Sequence, residues 1–246
     1  MASGFTPVRV GTAGWSIPRT ASDCFEAEGP VLVRYAGKFD AVEINSSFYR
    51  PHRGSTYERW AASVPAPFRF AVKAPRQITH DQRLVGATAL LISFRDGIEH
   101  LGAKLGPVLF QLPPSLVFDD RVVGRFFDAW RETCAAVTVC EPRHPSWFSE
   151  IAASRLTEAG VARVIADPPV APEPGESAVD APCAYYRLHG SPVIYETPYG
   201  AERLAPLARS LIESAARRPT WCIFDNTKFG AATSDALALK LRLKRL

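Results

Sequence analysis

Paired thiols are the first thing this sequence lacks. Its five cysteines, Cys24, Cys134, Cys140, Cys183 and Cys222, are scattered, odd in number and nowhere in CxxC spacing. That excludes a disulfide framework and a thiolate zinc site, and leaves small reduced hydrophobes. No apolar run approaches the roughly 18 residues needed to cross a bilayer, and no apolar stretch follows a basic start, so the expectation is a soluble cytoplasmic protein without a membrane partner. Neither GxGxxG nor GxxxxGK[ST] occurs, and HExxH spacing is absent, so no cofactor and no metal are expected. Net charge is scarce as well. Lysine plus arginine is 29 against 25 acids, and Lys240, Arg242, Lys244 and Arg245 alone account for the difference of +4. Such a tail suits the negative end of a helix dipole. With no face of interleaved basic and aromatic residues, nucleic acid is disfavoured as a partner, and oligomeric state is left open.

What is present is an apolar content of 47% over 246 residues, ample for a core. Short apolar runs predict strands at 9–13, 41–45, 69–74, 107–112, 138–141, 162–167, 184–189 and 221–225. Between them, helical periodicity predicts helices at 30–38, 55–63, 88–104, 120–133, 149–159, 201–217 and 233–245. Alternation of this kind implies a parallel sheet, and eight units in this length match a (β/α)8 barrel, with an open doubly wound sheet as competitor. Prolines at 168, 169, 172, 174 and 182 forbid a helix after the sixth strand, so an extended proline-rich loop is expected there. The whole chain, 1–246, is accordingly expected to be one α/β domain, a single TIM-like barrel.

Residues two apart on a strand share a face. Val42 and Ile44 therefore oppose Glu43 and Asn45; Phe70 and Val72 oppose Ala71 and Lys73; Phe110 and Leu112 oppose Gln111; Tyr186 and Leu188 oppose Tyr185, Arg187 and His189. If the apolar faces meet helices, the polar set converges at the C-terminal strand ends, where Glu141 and Arg143 of the stretch CEPRHPSWF join it. Glu43, Glu141, His189 and Lys73 are the candidate acids, bases or nucleophile. Arg143 and Arg187 can fork onto a carboxylate or phosphate; Asp225 and Asn226 can bind hydroxyls or cap the helix that follows; Trp15 and Trp147 can stack on a ligand, with packing the commoner fate of a lone tryptophan. The alternative for the charged members is a set of interior ion pairs that touches no ligand. His80 and His144 fall in polar loops and are read as solvated.

Seven ordered stretches also resemble a known family: GTAGWS at 11–16, FDAVEINSSFYR at 39–50, FAVKAPRQITH at 70–80, LGPVLFQLPPS at 105–115, EPRHPSW at 141–147, YRLHGS at 186–191 and FDNTKFGAATSDAL at 224–237. They are similar to the domain of unknown function 72, or YecE-like, family over nearly the whole chain. The resemblance implies a TIM-like barrel and no established reaction. Its motif residues fall on Trp15, Glu43, Asn45, Tyr49, Lys73, Gln111, Glu141, Arg143, Trp147, Arg187, His189, Asp225 and Asn226. Many relatives carry two asparagines where this chain has Asp225-Asn226.

The functional expectation is an isomerase, lyase or hydrolase acting by acid-base chemistry on a small polar or anionic molecule, sugar-like or phosphorylated. Two alternatives stand beside it. One is a non-catalytic protein binding an anion or nucleic acid. The other is a divalent-metal isomerase or hydrolase drawing on Glu43, Glu141, Asp167, His189 and Asp225, disfavoured because nearby cations compete for its carboxylates.

Overall fold

The computed structural model describes residues 8–171 and 181–246. Among them, nine strands alternate with seven helices, and every strand pairing is parallel. The strands are β1 (Arg9–Thr12), β2 (Ala41–Ile44), β3 (Arg69–Lys73), β4 (Leu105–Gln111), β5 (Thr138–Glu141), β6 (Val161–Arg163), β7 (Ile165–Asp167), β8 (Ala184–Leu188) and β9 (Thr220–Phe224). The helices are α1 (Val31–Ala36), α2 (Gly54–Ala62), α3 (Thr88–Ile98), α4 (Asp120–Thr133), α5 (Glu150–Glu158), α6 (Gly200–Ala215) and α7 (Ala231–Leu243). No helix among the described residues is long and apolar enough to cross a membrane.

The strands form two sheets, in the orders β2-β3-β4-β5-β6 and β1-β9-β8-β7. The sixth predicted strand, 162–167, is in fact two. Val164 breaks it, donating its N–H to Cys140 O at 2.8 Å, so that β6 closes one sheet and β7 opens the other. Helix α3 also stops short of the expected 104: a tight turn, 99–104, carries Gly102 at φ 54°, which a side chain disfavours, and delivers the chain into β4. The proline-rich loop expected in place of a sixth helix falls largely on 172–180, outside the described residues; its flanks at 168–171 and 181–183 carry no helix.

Strand parity sorts the apolar side chains into two layers. Val42, Ile44, Phe70, Val72, Phe110, Tyr186 and Phe224 face the helices. Helix α4 shows why that layer packs: Asp119 caps it by accepting from the N–H groups of Arg121 and Val122, and Val123, Phe126, Phe127 and Trp130 recur at helical spacing on one buried face. Phe110 of β4 receives the ring edges of Phe126 and Trp130 at 5.2 and 5.1 Å. On the opposite faces, Ala41, Ala71, Leu109, Val139 and Ala162 of one sheet cluster with Tyr185, Trp221 and Ile223 of the other. The two sheets thus share an apolar interior, which is the floor beneath the polar strand ends.

Where β1 meets β2, regular pairing shrinks to a single bridge, Ala13 with Glu43, and the Gly14 N–H donating to Glu43 O at 2.8 Å. The phenol of Tyr35 in α1 completes the junction: its oxygen accepts from the Thr12 N–H at 2.9 Å and its hydroxyl lies 3.2 Å from Ala41 O. Only glycine fits at position 11, because a Cβ there would stand 2.3 Å from the carbonyl oxygen of Ala41.

Candidate active site

Above the apolar floor, the strand ends bring three buried carboxylates around one guanidinium. Arg187, near the end of β8, is fully enclosed. Its Nε and Nη2 fork onto Glu43 Oε2 and Oε1 at 3.0 and 2.7 Å, its Nη1 reaches Glu141 Oε2 at 2.7 Å, and Nη2 also reaches Asp225 Oδ2 at 3.0 Å. One cation therefore serves three carboxylates from β2, β5 and the end of β9. Tyr185, two residues earlier on the same face, donates its hydroxyl to Glu43 Oε2 at 2.8 Å. His189 bridges two of these carboxylates, with Nε2 at 2.7 Å from Glu141 Oε1, which Arg187 leaves free, and Nδ1 at 3.1 Å from Asp225 Oδ2, which it shares with Arg187 Nη2. A carboxylate only accepts, so each of these contacts is a hydrogen bond where the ring nitrogen concerned carries the proton. Arg143 Nη2 closes the ring, 2.8 Å from Glu141 Oε1 and 2.8 Å from His189 Nε2.

Electrostatics in this cluster is set by competition. Burial opposes ionisation of Glu141, but Arg187, His189 and Arg143 outweigh it and hold the carboxyl well below the usual range. Burial likewise opposes ionisation of Asp225, and Arg187 with His189 again prevails. For Arg187, burial works against the charge, and Glu43, Glu141 and Asp225 reverse the sign. A pH dependence follows. Both acids have folded pKa values below their unfolded ones, so their stabilisation is fully present above the unfolded range near pH 4 and is lost as pH falls through the folded values. Urea midpoints measured from pH 7 to pH 3 are expected to fall more steeply for the wild type than for Glu141→Gln. Parallel profiles would show that Glu141 contributes nothing to acid sensitivity.

Lys73, at the end of β3, is the exception. It is 6% exposed, yet among the described residues no carboxylate lies within ion-pair distance of its Nζ, since Glu43, Glu141 and Asp225 are all committed to Arg187 and His189. Its Nζ lies over the face of Phe48, 4.1 Å from the ring centroid. Burial lowers the ammonium pKa, Arg187 lowers it further, and the more distant acids only partly compensate, bringing it from the ordinary 10.5 down to about 8.

The other expected residues divide by position. Gln111 is half-buried and is the register partner of Glu141. Asn45 follows β2 with a buried Oδ1 that has no partner among the described residues, and the same holds for Arg143 Nε. Tyr49 stands out at the rim, 73% exposed. One aromatic expectation needs correction. Trp147 does not present a stacking face: it is fully buried, donates its indole N–H to Leu116 O at 2.8 Å and meets Phe118 edge-on. Trp15 packs against the helix-side core, edge-on to Trp60 of α2 at 4.9 Å. Arg187 is corrected as an anion ligand, because every guanidinium nitrogen already faces a carboxylate and no part of the residue is exposed. Asn226 turns away from the cluster, its Nδ2 donating to Thr197 O and to Asp235 Oδ2 in α7. Asp167, considered as a metal ligand, is held by Arg203 at 2.6 Å, and among the described residues no group of three or more His, Cys, Asp or Glu is arranged to hold a metal ion.

Three participants escaped sequence reasoning. Phe48 lies in the short turn Ser46–Phe48 that follows β2. His80 is more than a solvated loop residue: a π-helical turn, Gln77–Asp81, carries its ring to 5.0 Å from Phe48, edge-on. Burial, then the charges of Lys73 and Arg76, lower its pKa, with Asp81 in opposition. Tyr195, held at φ 70° in the loop after β8, sets its ring 5.8 Å from His189. The only signal for Phe48 and His80 was their place inside the quoted stretches that follow β2 and β3.

Comparison with known proteins identifies the family. A family described as protein of unknown function DUF72 matches residues 9–246. The UPF0759 protein YunF of Bacillus subtilis (strain 168) is 29% identical over 165 residues, 58% of this chain and 52% of that protein. The UPF0759 protein YecE of Escherichia coli (strain K12) is 28% identical over 174 residues, 65% and 59% of the two chains. This chain thus matches between half and three-fifths of the length of those curated relatives. Among solved structures, a DUF72 family protein from Thermotoga maritima MSB8 superposes with a TM-score of 0.81 at 26% identity, covering 96% of this chain and 99% of that one. The E. coli 3-keto-D-glucoside 4-epimerase YcjR gives 0.56 at 10% identity, over 98% and 100%, a likeness of fold alone. From the first strand to the last residue, then, the chain belongs to the DUF72 family.

Proposed function

We propose that the protein is an enzyme that transfers a proton on a small, polar, anionic, sugar-like substrate bound over the strand ends, and that its two sheets close on each other as a single TIM-like barrel domain. The shared apolar interior and the all-parallel pairing support the barrel. One observation carries the chemistry: Lys73 is a nearly buried amine with no carboxylate partner among the described residues, beside carboxylates that are all occupied. A group titrating near 8 is matched to general acid-base work at neutral pH, whereas an ordinary lysine is not. In this reading the buried Arg187 network is the rigid frame, Lys73 moves the proton, and His80 relays it. Arg143 Nε and Asn45 Oδ1, buried and without a partner among the described residues, supply a donor for the anionic group and an acceptor for a hydroxyl. The sugar epimerase named above shares the fold at 10% identity, so the substrate class rests on these residues.

The test is solvent exchange. The wild-type protein is incubated in D2O with glycolaldehyde, D-glyceraldehyde, dihydroxyacetone and their phosphates, and carbon-bound protons next to the carbonyl are followed by NMR. Catalysed loss of those signals for at least one phosphorylated member is expected. Binding by calorimetry without exchange would replace the enzyme with an anion-binding protein.

A further inference from the structure

The surroundings of Lys73 suit more than proton transfer. Of the chain's six lysines, Lys104 donates to the carbonyls of Ala61 and Val64, Lys228 pairs with Glu196 and Lys240 with Asp40, while Lys38 and Lys244 are exposed. Lys73 alone combines near-complete burial with the lack of any anionic or carbonyl partner among the described residues. It lies against an aromatic face, and the same ring meets the imidazole of His80. Water is largely excluded, which favours a cation that is weakly hydrated over an ammonium that hydrates strongly. An iminium is such a cation: planar, delocalised and able to lie on the face of Phe48 as the ammonium does.

We propose that Lys73 forms a protonated Schiff base with the aldehyde or ketone carbonyl of the substrate, with His80 carrying protons between the nitrogen and the departing oxygen. The inference rests on the functional reading above, in that it assigns the bound molecule to the hydroxy-aldehydes and hydroxy-ketones. The step balances without an oxidant, a reductant or a cofactor. His80 takes one proton from the ammonium; the freed Nζ pair forms a bond to the carbonyl carbon as the C=O pair moves to oxygen. A second nitrogen proton and the one held by His80 then pass to that oxygen, the C–O bond breaks, and water leaves as the nitrogen pair closes C=N⁺. Ammonium and carbonyl become iminium and water. The iminium withdraws electrons from the adjacent C–H bond, which is the bond that the solvent-exchange experiment reads.

Reductive trapping tests it on the folded wild-type chain. Dihydroxyacetone phosphate and D-glyceraldehyde are each added at pH 7 with sodium cyanoborohydride, and the modified peptides are mapped by mass spectrometry over time. Lys73 is expected to be labelled about tenfold or more faster than Lys38 and Lys244, because a larger fraction of it is neutral. Lys73→Arg, which keeps the charge, removes that label and leaves the other two unchanged, and His80→Asn slows it. Labelling of Lys73 no faster than that of Lys38 and Lys244 overturns the Schiff base. If solvent exchange then persists, only the covalent step falls; if exchange is absent as well, the proton-transfer reading falls with it.

Discussion

Arg187→Met is expected to destabilise the protein by about 3–5 kcal/mol, lowering Tm by roughly 6–20 °C in a chain of this size. The reason is arithmetic of charge in a dry place. Glu43, Glu141 and Asp225 all direct oxygens at one fully enclosed guanidinium, and its removal leaves three buried carboxylates with His189 and the edge of Arg143. An unpaired buried carboxylate either bears a large desolvation cost or takes up a proton. Arg187→Lys keeps the charge, but a single ammonium cannot reproduce the fork onto Glu43 together with the contacts to Glu141 and Asp225, so it is expected to lie between the two. Adding Glu43→Gln to Arg187→Met should recover part of the loss, which a double-mutant cycle measures. A Tm for Arg187→Met within about 2 °C of the wild type would falsify the view that this network holds the sheets together.

Lys73→Met is expected to do the opposite to stability and far worse to activity. Bringing an ammonium from 10.5 to about 8 corresponds to roughly 3 kcal/mol against the charged form. Methionine removes that burden and keeps much of the stem, so thermal unfolding at pH 7 should shift upward by about 2–8 °C. The wild type should close the gap as the pH rises from about 8 towards 10.5, because over that window the unfolded chain binds the proton that the folded chain has lost. Meanwhile the exchange rate should fall about 10²–10⁴-fold, the usual worth of a positioned acid or base. A variant that is less active and also less stable would mean that Lys73 is a structural cation with a partner, and the assignment would fail.

These two residues show where the sequence was legible and where it was not. Alternation along β2, β3, β4 and β8 placed Glu43, Lys73, Gln111 and Arg187 on one face because side-chain direction has period two, a property of the backbone alone. Parity says which face, but not which nitrogen meets which oxygen. Whether Arg187 would greet a ligand or three neighbours depended on atoms contributed by strands up to 144 residues away. The break at Val164 was illegible for a similar reason: IAD continues the apolar run VAR, and only the hydrogen bond to Cys140 shows where one sheet ends. His80 and Phe48 lie on turns, where no period reports direction, and Trp147 in the turn after β5 was misjudged because its burial comes from Leu116 and Phe118, elsewhere in the chain.

Glu43 has a double position. Its backbone carbonyl receives the Gly14 N–H where β1 and β2 barely touch, while its carboxylate grips Arg187 and accepts from Tyr185. One residue is thus both a stitch between the two sheets and a pole of the charge cluster. Parting the first two strands is therefore expected to loosen the grip on Arg187, and a change of charge beside Arg187 to alter the seam. Exchange of the Gly14 amide with solvent is therefore a built-in gauge of the state of the ion cluster, readable without any substrate in hand.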